Sequence, residues 1–188
     1  MKKFPFILSV VITLGLTVFC FLWALLFRFD PVHPQRMSPM FPMLWTAFWG
    51  FTIVAALQGT FKTIPSMICS ACCGPFYGLC FFTLLGLCLG AGLGPALSFA
   101  ITAVVVTFLL TVVHIVVLGG TWFGNIPILL GSYGIWFAFK NPADSSDLRW
   151  LYGTLFFMFG TVFATVFVPI ALGVVKRLER TGPPAATS

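Results

Sequence analysis

Residues 63–139, bounded by Lys62 and Lys140, contain no Asp, Glu, Lys or Arg, an uncharged run of 77 positions (139 − 63 + 1). A water-facing fold needs charged side chains at short intervals to keep its surface solvated, so a run of this length implies a lipid environment. Three further runs without charge, residues 4–27, 37–61 and 150–175, are 24, 25 and 26 positions long. A helix crossing the ~30 Å hydrocarbon layer at about 1.5 Å per residue needs roughly 20 apolar residues. Each shorter run accommodates one crossing, and the longest accommodates three of about the same length. The expected fold is therefore an all-α integral membrane protein, a single membrane domain over residues 1–188 with six transmembrane helices. The spans are expected at about 4–27, 43–58, 64–90, 96–118, 122–139 and 150–175.

A mean hydropathy of +1.07, with 60% hydrophobic and 7% charged residues, places the whole chain in the membrane class. The longest polar stretches, Arg28–Met40, Lys140–Arg149 and the tail from Lys176, are too short to hold a nucleotide-binding or catalytic domain. The net charge of +6 sits at the ends of the spans. Lys2, Lys3, Lys62, Lys176, Arg177 and Arg180 fall on one side; Arg28, Arg36, Lys140 and Arg149 fall on the other, with Asp30, Asp144 and Asp147. The excess of positive charge predicts both termini in the cytoplasm and a multi-pass protein of the cell's inner membrane. The basic residues read as orientation signals and headgroup contacts, which gives no support for a nucleic-acid partner. The first apolar stretch is too long for a signal-peptide core and no small-x-small cleavage site follows it, so an uncleaved first span is expected.

Turn chemistry divides the long run. Pro75 lies well inside the third span, predicting a kink and a freed carbonyl near Ala71. Gly90–Pro95 and Gly119–Thr121 supply the next two turns. Gly59-Thr60-Phe61 followed by Ile64-Pro65 echoes Gly120-Thr121-Trp122 followed by Ile126-Pro127, and both copies lie where one span turns into the next. In the sixth span Gly160 and Ala164 form a small-xxx-small pair, a helix-packing motif within the chain or between protomers.

Two groups of residues could carry chemistry. Gln58, Lys62, His114 and Asn125 all fall near the cytoplasmic ends of their spans, beside the helix starts at Pro65 and Pro127. Together they form a candidate inner vestibule for a small polar or anionic solute. The plainer reading is that Lys62 snorkels, Asn125 caps the fifth helix and His114 bonds a neighbouring carbonyl. Cys69, Cys72 and Cys73, with Cys80 and Cys88 on the same span, suggest a soft-metal or redox site. No His or carboxylate accompanies them and a thiolate facing hydrocarbon is costly, so the cysteines read as small apolar packing residues, with no metal or other cofactor expected. No span carries a carboxylate or base at its centre, as ion-coupled pumps usually do. No Ser-His-Asp set, HExxH, acid pair or phosphate loop is present, so no enzyme is expected.

Trp45, Phe48, Gly50, Gly59, Lys62, Gly74, Pro127, Gly131, Phe137, Ala138, Arg149 and Gly160 fall at a spacing that resembles an uncharacterised bacterial inner-membrane family, the one that includes YcdZ. That resemblance covers the chain from about Leu44 onward and implies a multi-span fold with no assigned activity. The segment Gly74-Pro75-Phe76-Tyr77-Gly78, followed by Leu84-Leu85-Gly86, is similar to a stretch in the substrate-binding components of vitamin transporters, and implies a retained small ligand. The expected function is a small-solute channel or facilitator, with an accessory subunit of a larger membrane complex and a vitamin-binding component as alternatives. The expected partners are the lipid bilayer and either further copies of the chain or a larger membrane complex.

Overall fold

Apolar segments of this length satisfy their backbones without water by forming helices, each bond made within the segment itself, and helices are what form. The computed structural model describes residues 3–27, 43–57, 59–140 and 147–181, and no strand occurs among them. Six α-helices follow in chain order: α1 (Lys3–Phe27), α2 (Leu44–Ala56), α3 (Ile64–Gly90), α4 (Pro95–Val112), α5 (Ile126–Phe139) and α6 (Arg149–Thr181). A 3-10 turn (Phe61–Thr63) leads into α3, and a π-turn (Val113–Val117) closes α4. The starts are written in the sequence: Pro65, Pro95 and Pro127 each occupy the first turn of a helix, where the missing N–H costs nothing. Between α3 and α4 the chain turns through Gly92, at φ 81°, a conformation that glycine adopts without strain.

Contacts between neighbours set the direction of each helix. Trp23, Phe19 and Gly15 of α1 meet Phe156, Phe163 and Phe167 of α6 respectively, one series falling as the other rises, so the two run antiparallel. Ala47 and Phe51 of α2 meet Gly160 and Phe163, so α2 runs parallel to α6. Gly74 and Gly78 of α3 meet Ser132 and Trp136, so α3 and α5 are parallel as well. With Phe81 beside Phe99 on α4, and Gly131 beside Phe157, the six helices alternate up and down, and both ends of the described chain lie at one end of the bundle.

Among the described residues, four segments are long and apolar enough to cross a membrane: Ser9–Leu26, Phe61–Gly90, Pro95–Val117 and Arg149–Arg177. The helices α2 and α5, at 13 and 14 residues, are shorter. They rise only about 20 Å at 1.5 Å per residue, less than the expected spans 43–58 and 122–139 imply. For α5 the reason is local: residues 118–125 form a loop held by side chains, and the helix starts only at Ile126. The proline-rich segment 28–42 lies outside the described residues, as does Gln58.

The core divides into two clusters. Phe51, Val54, Met67, Ala71, Ile128, Ile135, Phe157 and Ala164 pack where α2, α3, α5 and α6 converge; Tyr77, Phe81, Val106, Leu110 and Leu129 pack between α3, α4 and α5. Glycine sets the closest approaches. A Cβ at Gly160 would collide with the Ala47 carbonyl, and one at Gly50 with the Phe157 carbonyl. The pair Gly160 and Ala164 thus seats α2 within the same chain.

Candidate functional site

The local chemistry begins at Pro75. Proline has no N–H to return to the carbonyl four residues back, so the Ala71 carbonyl inside α3 loses its helical partner. The hydroxyl of Ser132, on α5 and fully buried, donates to that carbonyl. Gly74 allows the approach: a Cβ there would stand 2.6 Å from the Ser132 Oγ and 2.5 Å from the Tyr133 nitrogen. Gly74 and Gly78 serve here as the contact surface between α3 and α5.

A second serine works in the opposite sense. The Ser70 hydroxyl, on α3, donates to the Trp122 carbonyl at 3.3 Å and accepts from the Asn125 N–H at 3.1 Å. Ser70 lies six positions after Ile64 and Ser132 six positions after Ile126, so the echo between the two Ile-Pro helix starts extends to the serines. Each hydroxyl bonds the backbone of the other segment. The parallel pair α3 and α5 is cross-tied at two points.

Beside these ties lies a cleft of about 440 Å³, lined by Leu57, Gly59, Thr63, Ser66 and Met67 from one turn and by Gly119, Thr121, Gly124, Asn125, Ile126 and Pro127 from the other. It sits at the end of the bundle that carries the chain termini, where α2 turns into α3 and α4 into α5. The walls are stiffened from within. Thr63 Oγ1 donates to the Thr60 carbonyl at 2.6 Å and accepts the Thr60 N–H at 3.1 Å. Thr121 Oγ1 donates to the Leu118 carbonyl at 2.8 Å. Asn125 caps α5, its Oδ1 accepting the Ile128 N–H at 3.3 Å.

The four vestibule candidates are placed differently. Asn125 lines the cleft. Lys62 stands exposed on the 3-10 turn and is not part of the lining. His114 is buried in the π-turn, its ring edge-on to Tyr77, and its Nδ1 bonds the Phe123 carbonyl. A carbonyl accepts only, so Nδ1 carries the proton in this bond. His114 therefore holds the 118–125 loop from behind. Gln58 lies outside the described residues. Sequence reasoning missed Ser66, which lines the cleft, and Ser70 and Ser132, because nothing local separates a serine bonded to its own helix from one that bonds another segment or faces a cleft.

The cysteines do not converge. Cys72 is exposed on α3 and the Cys73 thiol donates to the Cys69 carbonyl at 3.3 Å. Among the described residues no three His, Cys, Asp or Glu side chains are grouped to hold a metal ion. Two buried polar atoms, Thr102 Oγ1 and Trp136 Nε1, have no partner among the described residues, and neither lines the cleft. At the opposite end Asp147 accepts the Arg149 N–H at 3.0 Å and holds its guanidinium at 2.8 Å, anchoring the start of α6. Comparison with protein-family models, with curated proteins and with solved structures finds no match to this chain.

Proposed function

We propose that this chain is a six-span protein of the cell's inner membrane, with both termini cytoplasmic, and that it admits a small solute through the cleft between the 57–67 and 119–127 turns. Three features support the topology: the strict alternation of helix direction, the uncharged helix lengths, and Lys62, Lys176 and Arg177 at the end opposite Lys140 and Arg149. On this reading α2 and α5 cross as short helices sheltered by their longer neighbours. The observation that carries the function is the cleft itself, a recess with hydroxyl, amide and backbone groups at the mouth of a bundle built on two hydrophobic core clusters.

The experiment is solute flux through liposomes containing the purified protein, followed by stopped-flow light scattering. Permeability above that of protein-free liposomes is expected, and no increase for any solute would refute the proposal. Topology is tested separately, by labelling single cysteines at Lys62 and Lys140 in intact cells. Reagent that does not cross the membrane should reach position 140 and not position 62.

A further inference from the structure

We infer that the cleft takes an uncharged, hydrogen-bonding solute such as a small amide or polyol, and rejects ions. This inference rests on the reading of the cleft as the solute site. Among the described residues no charged side chain contributes to the lining: Lys62 stands outside it, and His114 is buried behind the loop with Nδ1 occupied by the Phe123 carbonyl. The hydroxyl protons of Thr63 and Thr121 and the Oδ1 of Asn125 are held by their own turns. Among the side chains of the described lining residues, the Ser66 hydroxyl and the Asn125 side-chain NH₂ have no hydrogen-bond partner among the described residues. They offer two amide donors and one hydroxyl that both donates and accepts.

An ion entering this recess loses hydration and meets no charged side chain among the described residues. The partial positive charge at the starts of α3 and α5 acts in favour of an anion alone, and with one amide and one hydroxyl it does not offset the loss. A neutral amide or polyol gives up only hydrogen bonds, which Ser66 and Asn125 replace, while Leu57, Met67, Ile126 and Pro127 receive its carbon skeleton.

The test uses the full chain in liposomes with urea and glycerol as neutral probes and potassium formate, with valinomycin, as the ionic one. The variants are Ser66→Ala and Asn125→Ser; serine keeps an oxygen that caps α5 and removes the amide. Urea or glycerol should pass at least about tenfold faster than formate, and each variant should slow the neutral probe by about three- to tenfold, the effect of losing one hydrogen bond. Both variants should remain monodisperse in detergent. Formate passing as fast as urea, or variants that fold and leave urea and glycerol flux unchanged, would overturn this inference and leave the solute-site reading standing. No flux for any probe would overturn both.

Discussion

The bond between Ser132 and the Ala71 carbonyl makes a prediction that a double-mutant cycle can decide. If the carbonyl needs Ser132 because Pro75 has no N–H, then Ser132→Ala leaves a fully buried acceptor with neither partner. An unsatisfied buried acceptor costs about 1–3 kcal/mol, and interhelical hydrogen bonds in a membrane bundle reach about 1.7 kcal/mol. Ser132→Ala should therefore destabilise the protein by about 1.5 kcal/mol, within those limits. Pro75→Ala restores the helical N–H, so in that background the same change should cost less than about 0.5 kcal/mol, a coupling of about 1 kcal/mol. The assay is equilibrium unfolding in mixed micelles, followed by tryptophan fluorescence, on the parent, both single variants and the double variant. An equal cost of Ser132→Ala in both backgrounds would show that the serine acts through packing and that the proline argument is wrong.

Three other outcomes follow from the contacts. Gly160→Leu places a side chain against the Ala47 carbonyl and should separate α2 from α6, abolishing the monodisperse peak in size-exclusion chromatography; a normally folded variant would refute the close crossing. His114→Ala removes the donor to the Phe123 carbonyl, and amide exchange over residues 118–125 should rise about tenfold with α6 unchanged. Asp147→Ala removes the acceptor for both the Arg149 N–H, the first of α6, and its guanidinium, and should cost about 1–2 kcal/mol in the same unfolding assay. Asp147→Asn keeps an oxygen for the Arg149 N–H, so its cost should be smaller.

Length and turn chemistry were legible wherever a helix ends for local reasons. The expected span 64–90 coincides with α3, because Ile64-Pro65 opens it and a glycine-rich turn closes it. The freed carbonyl near Ala71 was legible too, since it follows from proline's covalent structure alone. Its partner was not: Ser132 lies 61 residues away, and a hydroxyl carries no mark of where it will point. The same holds for the start of α5, expected at Trp122 and found at Ile126, because the intervening residues are tied by Ser70 and His114 from other helices. The π-turn that buries His114 left no trace in an uninterrupted apolar run. Of the vestibule residues, Asn125 had a local cue, its position just before Ile126-Pro127, whereas the fate of Lys62 depended on how the two turns face each other.

The shortness of α5 has a consequence for the order of assembly. A helix of 14 residues covers about 21 Å and falls short of a ~30 Å hydrocarbon layer. Alone in lipid, its end groups would sit below the headgroups. Its buried face, with Ile128, Ser132, Ile135 and Trp136, is completed by α3, α2 and α6. One of those helices, α6, emerges from the ribosome later than α5. On the six-span reading, α5 settles across the bilayer only once α6 has arrived to enclose it. A chain truncated before Arg149 and released from the ribosome should then leave the last crossing unmade, while α3 and α4, long enough to stand alone, are in place.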